Sequence, residues 1–235
     1  MRRWIGSVVV IGAMGWMAAA AEARDFKVYG YATPDQGEAE VSYWLDYFIR
    51  SDQRYVFLDG QTVDKERLFR HTFELEYGVT DRWTIAGYLD FEDPNGKNPE
   101  YVQARAVVSR YRLFKPKERL FDTALYFEYY LPYERYRTEE HLETRLIFEK
   151  EIQPLLIRLN PIFDKKLSGV GLVEGMEFEY AVGFYLPASR EVRLGLEFYG
   201  EMGPLSNLNS PKDQEHFIFP TVQLTPAKGI GLELG

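Results

Sequence analysis

The chain has 235 residues, 46% hydrophobic, 16% aromatic and 27% charged, with a formal net charge of −8 and no cysteine. The aromatic content excludes a disordered chain, which lacks the apolar surface to offset ordering entropy, and the missing cysteine excludes disulfides, thiolate catalysis and Cys-ligated zinc or iron–sulfur clusters. The acidic balance sets nucleic acid aside as a partner, because phosphate contacts by Lys and Arg dominate that affinity.

Arg2 and Arg3 open the chain, residues 4–21 carry no charge, and Ala21-Glu22-Ala23 follows. A basic start, an apolar run and a small–x–small site describe a secretory signal peptide. The expectation is cleavage after Ala23, leaving residues 24–235 as a single domain, with cleavage after Ala21 as the near alternative. An uncleaved membrane anchor is the rival, since the run approaches the ~20 residues of a spanning helix. Removing residues 1–23, with two Arg and one Glu, takes the net charge from −8 to −9. Downstream, no apolar stretch is long enough to span a bilayer as a helix. Membrane residence would require a closed β-barrel, which satisfies every backbone group in hydrocarbon.

The apolar period along the remaining chain is two. It starts at 38–48. Phe73, Leu75 and Tyr77 then alternate with Thr72, Glu74 and Glu76, and Trp83, Ile85, Gly87, Leu89 and Phe91 with Thr84, Ala86, Tyr88 and Asp90. The pattern continues over 101–114, 120–131, 141–150 and 154–161. Met176, Phe178, Tyr180, Val182 and Phe184 alternate with Glu177, Glu179, Ala181 and Gly183, and Val192, Leu194, Leu196 and Phe198 with Arg193, Gly195 and Glu197. Residues 215–224 and 229–235 complete the set. Period two with aromatic and β-branched enrichment predicts strands, and no segment predicts a helix.

The connections have a rhythm of their own. Short polar links at 78–82, 115–119, 151–153, 187–191 and 225–228 alternate with long ones at 51–69, 92–100, 132–140, 162–174 and 202–214. Outer-membrane barrels combine short periplasmic turns with long external loops, and a tilted crossing needs ~9–11 residues per strand. The expected fold is therefore all-β: an antiparallel up-and-down transmembrane β-barrel of about twelve strands in the cell outer membrane. Eleven strands are visible, and a last hairpin is expected to be missing after Gly235. The alternative is a true terminus with an odd or open sheet.

Charges gather on the face opposite the aromatics: Glu40, Glu74, Glu76, Asp90, Arg105, Glu128, Glu143, Arg145, Glu149, Arg158, Glu177, Glu179, Arg193, Glu197 and Glu233. Such a face suits a wet lumen and excludes an apolar calyx. Glu74, Glu76, Arg105, Glu128, Arg145, Glu177, Glu179, Arg193 and Glu197 are the expected lumen-lining residues. Their acid excess would favour cations. A filled, non-conducting interior is the alternative, since a small barrel can be plugged by side chains. On the other face, Tyr77, Trp83 and Phe184 neighbour short turns, and Phe91, Tyr129 and Phe198 neighbour long loops. That bracketing matches aromatic girdles.

The stretch Glu74-Leu75-Glu76-Tyr77-Gly78-Val79-Thr80-Asp81-Arg82-Trp83-Thr84-Ile85 resembles a recurring hairpin in an outer-membrane β-barrel family assigned to transport and named after the MetA pathway of phenol degradation. The resemblance spans about a dozen residues. It implies a channel-like or transporter-like protein and carries over no catalytic residue. Gly78 and Asp81 are expected to serve the tight turn, through positive φ and a side-chain turn bond.

His71, His141 and His216 are expected at the outer ends of different strands, and their parities differ, so they do not converge as a metal site. No serine stands in a nucleophile-elbow context. Glu177 and Glu179 face one side, with Glu197 expected opposite. That set reads better as a charge ladder with Arg193 than as an acid–base pair. The sequence thus predicts no enzyme, no metal and no cofactor. Its expected partners are outer-membrane lipid and a small polar or cationic solute, passed or bound. A structural or adhesive barrel is the alternative and a membrane-embedded hydrolase the third. The oligomeric state is open.

Overall fold

A computed structural model describes residues 7–13, 28–48, 54–93, 98–135, 139–173, 175–227 and 230–235. Its strands are β1 (Ser7–Ala13), β2 (Ala39–Phe48), β3 (Arg54–Val56), β4 (Thr62–Asp64), β5 (Leu68–Thr80), β6 (Trp83–Glu92), β7 (Glu100–Arg112), β8 (Asp122–Pro132), β9 (His141–Ile152), β10 (Leu155–Lys166), β11 (Met176–Pro187), β12 (Val192–Pro204), β13 (Glu215–Ala227) and β14 (Ile230–Leu234). The only helical turn among the described residues is a 3₁₀ turn at Val170–Val173. Twelve strands close into one barrel in the order β1-β14-β13-β12-β11-β10-β9-β8-β7-β6-β5-β2, while β3 and β4 form a separate hairpin. Every pairing is antiparallel, so neighbours in sequence are neighbours in space from β5 to β14.

The eleven expected strands are β2 and β5 to β14. The twelfth place is taken by β1, inside the stretch that reads as a leader. All its residues from Ser7 to Ala13 pair with β2, and Val10, Ile11 and Gly12 pair with β14.

Alternation explains the faces. β5 buries Thr72, Glu74 and Glu76 and exposes Phe69, Phe73, Leu75 and Tyr77, the reverse of a soluble sheet. Burying the polar side is stable only where each charge finds a partner. The outward side carries exposed aliphatic residues (Leu75, Ile85, Leu89, Leu196, Ile218) interspersed with aromatic clusters. Phe73, Phe91 and Tyr101 pack edge to face at the long-loop end, and Phe121 packs on Phe148 at the other.

The main strands run 10–13 residues and extend into segments read as loops, so several connections are shorter than expected. The β7–β8 link, residues 113–121, is the exception among the short turns. It folds back on the barrel, with Leu113 N–H donating to Thr123 C=O (2.9 Å) and the Arg82 guanidinium donating to the carbonyls of Arg112 (3.0 Å) and Leu113. At the opposite end, Tyr55, Phe57, Leu68 and Val102 form an apolar cluster that seats the β3–β4 hairpin.

Candidate functional site

The inward side chains meet in an interior that is both charged and aromatic. Glu74, Glu76, Glu128, Arg145 and Glu197 are buried there, Arg105 nearly so. Glu179 and Arg193 are half-buried, and Glu177 stands at the long-loop mouth. Arg105 bridges Glu128 (3.2 Å) and Asp90 (3.3 Å), and its guanidinium lies 4.1 Å over the Tyr88 ring. Arg145 holds Glu143 (2.8 Å) and covers Tyr29 at 4.0 Å. Arg158 holds Glu149 (2.6 Å), and Arg110 lies 3.5 Å from Glu76. A guanidinium can bind a carboxylate in its plane and an aromatic ring on its face, which is why Arg fills these buried places.

One expected grouping does not form. Glu197 stands opposite Gly183, whereas Glu179 stands opposite Glu201. Arg193 lies opposite Pro187 at the short-turn end and donates to Gln223 (3.3 Å), away from the Glu177–Glu179 end of β11. The cause is register: the β11–β12 pairing runs unbroken from Pro187–Arg193 at the short turn to Glu179–Glu201, and alternation within one strand does not fix which residue faces it on the next.

The register instead aligns carboxylates. Glu128, Glu143, Asp164 and Glu177 are directly opposite one another across β8, β9, β10 and β11. Glu179, Glu201 and Glu215 do the same across β11, β12 and β13. Like charges at opposed positions destabilise a sheet unless partnered. In the first row each acid has a base: Arg105, Arg145, His141 and, at 3.8 Å, Lys166. In the second, the Tyr199 hydroxyl lies 2.5 Å from Glu179 and 3.4 Å from Glu201. The long-loop half of the interior thus concentrates acid on β10 to β12.

The other half holds a feature that period-two reasoning had no way to find. Residues 28–38, ahead of β2, run inside the barrel as an extended strap outside the strand ladder. Val28 N–H donates to Glu197 (3.2 Å), Tyr29 N–H to Asn160 Oδ1 (2.6 Å) and Tyr31 N–H to Glu149 (3.3 Å). Asn160 Nδ2 returns a bond to Tyr29 C=O (3.1 Å), and Arg110 donates to Ala32 C=O (2.5 Å). Tyr29 and Tyr31 join Trp44, Tyr88, Val108, Ala124, Tyr126 and Ile147 in the central aromatic cluster. The interior is therefore occupied at mid-height by the chain itself.

At the short-turn mouth the strap meets the 74–85 hairpin, and the roles of Gly78 and Asp81 change. Gly78 does not take the left-handed backbone expected of it. It is small because the strap crosses it: a Cβ there would sit 2.1 Å from Asp35 C=O and 2.7 Å from Pro34 C=O. Gly37 N–H donates to Gly78 C=O (2.8 Å), Gly78 N–H to Glu38 C=O (2.9 Å), and Gln36 N–H to Asp81 (3.4 Å).

The histidines occupy separate places. His71 and His216 face outward beside the hydroxyls of Tyr43 (2.6 Å) and Tyr180 (3.0 Å), while His141 pairs with Asp164 on the inside and stacks on Tyr130 at 3.8 Å. Among the described residues no group of three His, Asp or Glu is arranged to hold a metal.

Several interior residues escaped the sequence reading. Arg110 faces inward like Arg105 despite opposite parity, because β7 carries an irregularity between Ala106 and Ser109. Asn160, Asp164 and Glu201 obey the alternation of their strands but lie near or beyond the ends that alternation suggested.

Fold and interior together define a closed twelve-stranded antiparallel barrel, polar inside, apolar outside and internally strapped. The chain matches no protein-family model and no curated protein.

Proposed function

We propose that the chain is exported and inserts into a bacterial outer membrane as a channel-like or transporter-like barrel, whose acidic interior binds or passes a small polar or cationic solute. The observation that carries this reading is the segregation of the two faces. A soluble barrel gains nothing by exposing a continuous belt of aliphatic and aromatic side chains, and exposed apolar patches of that extent mark interaction or membrane surfaces. In lipid the same belt is buried, and barrel closure leaves no unpaired edge. The leader-like start of the chain and the likeness of the 74–85 hairpin to transport barrels point the same way. The reading includes no catalytic step.

The direction of preference comes from the carboxylate rows. Acid exceeds base on the long-loop half of β10 to β12, which makes that mouth attractive to cations and repulsive to anions. Reversal potentials of the purified protein in planar bilayers under a KCl gradient test this: the expected sign is cation-selective, moving toward zero in Glu177→Gln/Glu179→Gln. Anion selectivity would contradict it.

A structural barrel without conduction is the second reading, and the strap across the interior favours it. A folded protein that never conducts, in any variant, selects that reading over the first.

A further inference from the structure

We propose that the strap, residues 28–36, is a displaceable plug: it closes the lumen at rest and swings out of the short-turn mouth about Gly37. The proposal rests on the reading of the lumen as a solute path and adds how that path is closed.

Three observations carry it. First, among the described residues no barrel strand pairs with the strap. All twelve strands pair with strands, and the strap touches the ladder's backbone only where Gly37 and Glu38 meet Gly78.

Second, its remaining moorings are side chains from four strands, the Asp81 carboxylate in the β5–β6 turn and the Phe114 carbonyl, which accepts from the Tyr31 hydroxyl, and three of the strand side chains keep a partner when the strap leaves. Glu149 retains Arg158 (2.6 Å), Glu197 retains the Tyr185 hydroxyl (2.8 Å), and Arg110 retains Glu76 (3.5 Å). Release therefore strands no buried charge, the usual obstacle to moving a segment out of a polar interior. Asn160, which bonds both the N–H and the C=O of Tyr29, is the one strand side chain devoted to the strap in these contacts.

Third, the pivot is built for a bend. Gly37 takes φ +82°, a conformation open to glycine and strained for other residues. It is pinned to Gly78 on one side while residues 28–36 hold by removable contacts on the other. The apolar contacts of Val28 with Ile162, Ala181 and Tyr199, and of Tyr29 with Tyr126, supply the force that keeps the plug seated.

Two variants loosen the strap at opposite ends. Asn160→Ala removes the deep mooring, and Gly78→Ala places a Cβ against the Asp35 and Pro34 carbonyls at the mouth. The experiment uses the full chain refolded into planar bilayers, with heat-modified gel mobility as the check on folding. Strap position is read separately, as the rate at which a water-soluble maleimide labels Ala32→Cys in each background. The wild type is expected to show rare, brief openings. Each variant is expected to raise open probability at least tenfold at unchanged single-channel amplitude, with the labelling rate rising in parallel. If Gly78→Ala fails to fold, Asn160→Ala carries the test.

Equal labelling and equal open probability in wild type and variant would overturn the plug while leaving the channel reading intact. Labelling that rises tenfold with no conductance anywhere would retain the displaceable strap and remove the solute path. Conductance that is large in the wild type with Ala32→Cys shielded would also overturn the plug, since ions would then pass around a seated strap.

Discussion

Arg105 concentrates the interior's logic in one side chain. It is shared by two buried carboxylates, Asp90 and Glu128, and stacked over Tyr88, so its loss would leave two acids without their cation. Breaking a buried pair from one side costs ~3–5 kcal/mol. Arg105→Ala is expected to lower the temperature at which the folded gel band disappears, and Arg105→Lys to recover only part, because an ammonium cannot reproduce the fork. An unchanged transition for Arg105→Ala would show that water replaces the guanidinium without loss. Tyr185 makes the complementary point about shape. Its ring lies over Gly183 and Gly195, where an added Cβ would come within 2.6 Å and 2.7 Å of ring carbons. Gly195→Ala is expected to destabilise by about 1–3 kcal/mol through overpacking. A third residue-scale outcome concerns Lys65, between β4 and β5. Burial pushes its ammonium below the ordinary lysine range, against the Glu92 carboxylate, with Arg70 lowering it further. The docked β3–β4 hairpin then binds fewer protons than the undocked one between that lowered value and the ordinary ~10.4. Docking therefore strengthens as pH rises through that window and weakens as it falls. A fluorophore on Asp59→Cys should gain anisotropy as pH rises toward the ordinary ~10.4, a rise that Lys65→Met abolishes.

At the scale of elements, one strand separates the two faces. On β12, Leu196 is exposed to the outside and Glu197 is wholly buried inside. A cation near mid-bilayer on the lipid side costs ~2–4 kcal/mol, whereas an interior carboxylate tolerates its amide. Leu196→Arg is expected to abolish assembly in outer membranes, and Glu197→Gln to assemble at near-normal yield with a looser Val28 contact. Equal assembly of both would remove the main support for the membrane reading. The strands were legible because polar-in, apolar-out alternation is a local property, visible wherever three or four residues repeat it. What crosses strands was not legible. The opposition of Glu179 to Glu201 depends on the register that the short turn sets between β11 and β12, and the inward turn of Arg110 depends on an irregularity that flips parity within β7. The strap left no periodic trace at all, since residues 28–38 are held by side chains of distant strands rather than by a partner strand. Only the small residue at Gly78 signalled it, and a turn explained that glycine equally well.

The whole molecule combines a belt of apolar residues, an acid-rich mouth on the long-loop side and a strapped interior on the other. Twelve-strand closure runs through Ser7–Ala13, so the closed barrel keeps the segment that reads as a leader, and cleavage after Ala23 would remove the strand between β2 and β14. The orientation in the membrane is the claim on which the rest depends, and the absence of native cysteine makes it directly measurable. Single cysteines at Asp59, Asn207, Asp81 and Ser189 are exposed to an impermeant maleimide on intact cells, then after the outer membrane is permeabilised. The account predicts labelling of Asp59→Cys and Asn207→Cys on intact cells, and of Asp81→Cys and Ser189→Cys only after permeabilisation. Inverted labelling, or equal labelling of all four in a protein recovered outside the membrane fraction, would contradict it.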